Sequence, residues 1–132
     1  MFEQDYILRM LQQFFNCVYE WLHTPIEKRE KLVDFTEKVY YTFFEEQGSF
    51  FEKMTFDKTV RYIQTKYRKS EWTPRMEVIV ELSYLSLDDR HNDKKYLQRL
   101  QQMFMYINEN SNTFSFERNN KMEIVQNLLC VK

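Results

Sequence analysis

Apolar residues recur every three or four positions along most of this chain, and no stretch alternates over strand length between turn residues. The pattern predicts an all-α protein. Residues 3–23 read as a first helix, with Glu3 and Asp5 near its positive end and His23 near its negative end. Thr24 and Pro25 end it, because proline lacks a donor and restricts the residue before it. A second helix is expected over 26–47, through KLVDFTEKVYYTFF, closed by Gly48 in a left-handed cap. SFFEKM reads as a single turn with Ser49 and Glu52 at capping-box spacing, and TFDKTVRYIQTKY as a helix capped by Thr55.

Thr73 and Pro74, an N-cap followed by proline in the first turn, mark the start of PRMEVIVELSYLSL. DDRHND then reads as a loop, residues 93–110 as a helix, NSNT as a loop, and a last helix runs from about Ser115 into NLLCVK. About six helices on short connections give a single-domain antiparallel helical bundle, or an irregular array of helical hairpins, over residues 1–132. No Gly, Ser or Pro-rich linker marks a second domain.

One pattern occurs twice. ILRMLQQFFNCVYE and YLQRLQQMFMYINE align Leu8 with Leu97, Leu11 with Leu100, Phe15 with Phe104 and Val18 with Ile107, together with both glutamines and Glu20 with Glu109. The shared apolar positions lie three, four and three residues apart, a heptad-like stripe that any packed helix needs, so convergence accounts for them. The flanking segments do not repeat at a fixed period. Standard tetratricopeptide arrays also place Ala and Gly where helices cross. This chain has no alanine and one glycine, so its helix axes are expected toward the wide end of the usual spacing.

Hydrophobic residues make up 43% of the 132 and charged residues 30%, which places the chain on the folded side of the balance with disorder. The formal net charge of -1 supplies no global attraction to nucleic acid or anionic lipid. No apolar run is long enough for a membrane span, and the opening MFEQDY carries acids where a secretory signal carries bases, so a cytoplasmic protein is expected. Cys17 and Cys130 lie in apolar helical surroundings and are expected as reduced, buried thiols. The scarcity of Ala, Gly and Pro beside abundant Phe, Tyr, Asn and Lys points to AT-rich coding, bacterial or phage.

The opening MFEQDYILRMLQQF and the closing TFSFERNNKMEIVQNLL resemble the ends of small uncharacterised, tetratricopeptide-like helical proteins of low-GC Gram-positive bacteria. The resemblance covers about a third of the chain and rests on no chemical motif. It implies an all-helical cytoplasmic protein and assigns no functional residue.

Three features could carry function. The apolar residues of the first helix cover roughly 220° of its circumference at about 100° per residue, more than one neighbour hides. Either several helices surround it as the central one, or the flank with Tyr6, Cys17 and Trp21 meets a partner or a second copy of the chain. The segment KTVRYIQTKYRK, residues 58–69, holds Lys58, Arg61, Lys66, Arg68 and Lys69 with Tyr62 and Tyr67 and no acid, a pattern that suits phosphates and bases or an acidic protein. Val60, Ile63 and Tyr67 define a face opposite to Lys58, Arg61 and Arg68, so a solvated basic face explains the charges equally well. DDRHND contains carboxylates and His91 but lacks the spacing of a calcium or zinc site.

Catalytic material is sparse. His23 and His91 adjoin no nucleophile in sequence, no glycine-rich phosphate loop is present, and Glu45 with Glu46 or Glu77 with Glu81 is expected on exposed helix faces. No cofactor, metal or catalytic residue is expected. The reading is a non-enzymatic adaptor or regulator that binds a protein or peptide through an aromatic-rich helical surface, with Tyr6, Trp21, Arg61, Tyr62, Lys66 and Arg68 as partner-binding residues. A small inhibitor or immunity protein that covers one target is the alternative, and nucleic-acid binding through residues 58–69 the second.

Overall fold

The computed structural model describes residues 2–111 and 115–131, and every regular element among them is a helix. In chain order these are α1 (Phe2–His23), α2 (Leu32–Phe44), α3 (Gly48–Glu52), α4 (Phe56–Lys66), α5 (Lys69–Leu85), α6 (Leu87–Arg90), α7 (Lys94–Asn110) and α8 (Phe116–Cys130). Eight helices thus stand where about six were expected, the additions being the short α3 and α6. The expected loop DDRHND is partly helical, since α6 takes in Asp88 to Arg90. The NSNT loop falls largely on residues outside the described ones.

Helix α5 occupies the centre. It packs against α1, α2, α4 and α7, and Met76, Val78, Ile79, Val80 and Leu82 around its circumference are all but fully buried. Only Glu77 and Glu81, one turn apart and half-buried beside α8, interrupt the apolar surface of this stretch, the mark of a helix covered by several neighbours. The expectation that the first helix is the central one is therefore overturned: α1 buries Ile7, Met10 and Phe14 against the core and leaves much of its remaining apolar surface open. Helix α7 packs on α5, and α8 packs on α7.

Several helix ends follow the sequence signals. The side chains of Thr55, Asp93 and Ser115 accept from the backbone N–H groups of Lys58, Tyr96 and Arg118, satisfying donors that the first turn leaves unpaired.

Others do not, and side chains from elsewhere in the fold explain why. Helix α2 begins at Leu32 rather than near 26 because residues 24–31 form a turn locked from two sides. Arg29 donates to the carbonyls of Leu22 and Thr24 and lies over the Trp21 ring, while the Trp21 indole donates to the Glu30 carbonyl at 2.8 Å. At its other end α2 stops three residues before Gly48. Glu45 takes the left-handed position (φ 58°), donating its N–H to the Tyr41 carbonyl.

Gly48 is needed for a different reason. Its N–H bonds Glu37 Oε2 at 3.1 Å, and a Cβ there would lie 2.6 Å from Glu37 Oε1 and 3.1 Å from the Tyr40 ring. The glycine permits close approach and does not supply a positive φ. Helix α5 likewise starts at Lys69, so Pro74 sits in its second turn rather than its first. The proline forgoes one backbone bond. The earlier start is held by the Trp72 indole on the Tyr67 carbonyl and by the Arg75–Glu71 pair one turn apart.

Two further expectations fail. Cys17 and Cys130 are exposed, not buried. Glu77 and Glu81 face α8 rather than solvent: Lys121 pairs with Glu81, and burial raises the Glu77 carboxyl above its usual range, opposed by the charge of nearby Arg118. Polar contacts dominate this junction. Val125 is the only fully buried side chain described on α8, and Asn108 and Gln101 of α7 bond Asn119, Met122 and Gln126 of α8.

The repeated stripe gives a direct test of packing. In α7, Leu97, Leu100, Phe104 and Ile107 are at most 1% exposed, whereas in α1 the matching Leu8 and Phe15 are 60% and 43% exposed. Phe104→Ala should cost about 3–5 kcal/mol in denaturant unfolding and Phe15→Ala less than about 1 kcal/mol, although the sequence around the two is nearly the same. For Glu77, a raised folded pKa means that ionisation works against folding at neutral pH. Glu77→Gln should therefore raise the melting temperature at pH 7, and the gain should shrink as pH falls through the folded pKa and vanish below the unfolded value of about 4.5.

Candidate functional site

The two flanks of α1 present different surfaces. On one side Leu8, Phe15, Tyr19 and Leu22 stand 43–62% exposed, with Leu11 and Val18 half-buried beneath them. At about 100° per residue these six share one face, and Leu8, Leu11, Phe15, Val18 and Leu22 follow the three-four spacing of a helix-pairing seam. The polar positions beside the seam include Gln12 and Asn16, which are uncharged. The Tyr6, Cys17 and Trp21 flank that the sequence suggested lies on the other side of the buried face, with Tyr6 and Cys17 exposed and Trp21 half-buried.

On the other flank, Tyr6, Arg9, Met10 and Gln13 form one wall of a cleft of about 480 Å³. Thr42, Phe43, Phe44 and Glu45 at the end of α2 and Lys66, Tyr67 and Arg75 at the α4–α5 junction complete it. The cationic groups here are held by the backbone. The last carbonyls of a helix lack partners within it, and those of α2 are met by side chains: Arg75 Nη1 donates to the Phe43 carbonyl and Lys66 Nζ to that of Phe44 at 3.0 Å. Arg75 is 6% exposed, pairs with Glu71 at 2.9 Å, and lies 4.3 Å from the Tyr67 ring centre. Burial pushes the Tyr67 phenol up to about 12, so it remains a neutral hydrogen-bond donor at physiological pH.

Of the six residues singled out in sequence, the fold brings Arg61, Tyr62 and Lys66 together with Lys58 along one open hollow on α4 and places the others apart. Tyr6 and Lys66 meet in the cleft. Tyr62 lies beside Lys66, which bonds its hydroxyl at 3.0 Å, and its ring packs edge-on to Phe50 and Phe51. Trp21 is half-buried at the far end of α1, stacked on Phe35 at 5.0 Å, and serves the turn that follows. Arg61 borders a shallow groove between α4 and α7 with Phe56, Met105, Tyr106 and Glu109. Arg68 is exposed at the N-cap position of α5.

Sequence reasoning missed Arg9 and Arg75 in the cleft, and Leu8, Phe15, Tyr19 and Leu22 as an open seam. For the seam the signal was present, because the pattern shared with α7 marks the face. For Arg75 there was none, since its partners lie 32 residues away on α2 and one turn away on α5. Among the described residues no three His, Cys, Asp or Glu side chains gather as a metal would require, and no helix is long and apolar enough to cross a membrane.

Lys66→Met retains the stem but removes the bond to the Phe44 carbonyl, and should cost about 1–2 kcal/mol in chemical denaturation. Arg61→Met, on an exposed position, should stay within about 0.5 kcal/mol of the parent. Comparison with known proteins adds no relative: no family model, no curated protein and no solved structure matches this chain.

Proposed function

We propose that this chain is a single helical domain, an irregular array of helical hairpins, that works in the cytoplasm by holding a protein or peptide and catalyses no reaction. The observation that carries the reading is the exposed seam on α1. Leu8, Phe15, Tyr19 and Leu22 form a contiguous apolar strip whose spacing, repeated in α7, is buried completely wherever another helix covers it. Four large side chains about half exposed amount to roughly 400–500 Å² of apolar surface, at the level where patches on soluble proteins are commonly functional.

Magnitude constrains the partner. At about 25 cal/mol per Å² the strip offers on the order of 10 kcal/mol, comparable with the 4–15 kcal/mol lost on association. A stable interface buries about 800 Å² on each side, so the partner must reach beyond the strip onto the polar positions beside it. An amphipathic helix laid along α1 meets that requirement. Regulator and inhibitor would use the strip in the same way. The likeness of the chain ends to tetratricopeptide-like proteins accords with this use. Binding of nucleic acid through residues 58–69 finds less support, because Lys66 caps α2 and the Tyr62 ring packs on phenylalanines.

The test introduces a photo-crosslinking residue at Gln12, beside the strip, in cells of the native host, with and without Leu8→Glu and Phe15→Glu. A discrete cross-linked partner is expected with the parent and should disappear with the double variant, whose melting temperature should change little. An identical cross-linking pattern in both would overturn the reading.

A further inference from the structure

The cleft on the opposite flank of α1 is a separate site with its own chemistry. Its volume of about 480 Å³ lies within the range of small-molecule sites. Arg9, Lys66 and Arg75 bring three positive charges to the lining, where Glu45 is the one carboxylate, with Glu71 paired to Arg75 behind it. The end of α2 adds little negative potential here, because the Phe43 and Phe44 carbonyls are already occupied by Arg75 and Lys66.

The cations are also differently committed. Arg75 is fixed on three sides, and Lys66 on two. Arg9 makes a single hydrogen bond among the described residues, from Nε to the Asp5 carbonyl at 3.3 Å, and its outer guanidinium nitrogens can meet a ligand. A guanidinium presents paired donors at the spacing of a carboxylate. Met10, Phe43 and Phe44 add apolar side chains to the lining, and the Tyr6 and Tyr67 rings come to it from different elements.

We propose that this cleft binds a small organic acid, a planar apolar body carrying one carboxylate, with Arg9 and Lys66 holding the carboxylate and Tyr6 and Tyr67 flanking the ring. This site does not depend on the strip binding a partner.

Titration calorimetry of the full chain with 2-naphthoate, and with uncharged 2-naphthylmethanol, tests the assignment. Saturable binding of the acid is expected, weakened at least about tenfold for the alcohol and for Arg9→Glu, and unchanged in the Leu8→Glu, Phe15→Glu double variant. Tyr6→Ala, which removes a wall without altering charge, should weaken the acid as well and serves in place of Arg9→Glu if that variant does not fold. Equal affinity for acid and alcohol would show an apolar hollow only and overturn the proposal. So would the absence of saturable binding, or binding that survives Arg9→Glu and is lost in the double variant.

Discussion

A helix that is apolar over most of its circumference must be covered by several neighbours, and α5 imposes that demand on the whole molecule. Met76, Val78, Ile79, Val80 and Leu82 are shut off from water on all but the side of Glu77 and Glu81, so α1, α2, α4 and α7 are all drawn against one axis. With no alanine in the chain, the contacts are made by Phe, Tyr, Leu, Ile, Val and Met. Helix α1, taking one place at the periphery, covers only part of itself. The open seam and the cleft are the two edges of that partial cover.

The same economy appears at the helix ends. Where two elements meet, a cation or indole from one often satisfies carbonyls of the other: Arg75 and Lys66 for α2, Arg29 for α1, Trp72 for the segment before α5, and Arg99 for the Phe51 carbonyl. Each bond closes a local terminus and fixes the angle between elements. Among the positive groups of residues 58–69, Lys66 becomes part of the frame while still sharing a surface hollow with Lys58 and Arg61, and Arg68 stands apart at the start of α5.

Local signals were legible and tertiary ones were not. Thr55, Asp93 and Ser115 act within three residues of themselves, so their caps could be read directly. Gly48 and Pro74 misled because the events that set the neighbouring helix boundaries lie elsewhere, in Glu45 adopting a left-handed turn and in Trp72 reaching the Tyr67 carbonyl. The paired stripes make the limit plain. Leu97, Leu100, Phe104 and Ile107 in α7 and Leu8, Leu11, Phe15 and Val18 in α1 carry one pattern, and period alone states that a face is apolar without stating whether the fold supplies its cover. Cys17 was misplaced on the same ground, since a thiol among apolar neighbours in sequence can lie on the uncovered side of a helix.

The thin apolar anchoring of α8 gives the molecule a gradient of rigidity. Val125 is the only fully buried side chain described on that helix, Met122, Leu128 and Leu129 pack on the core while only partly buried, and amide and ion-pair contacts join them, so peeling α8 away exposes less hydrocarbon than opening α5. The free energy of such a partial opening lies well below that of global unfolding. Fluctuations will thus concentrate at the C-terminal edge, where each excursion briefly bares the flank of α7 that α8 normally shields.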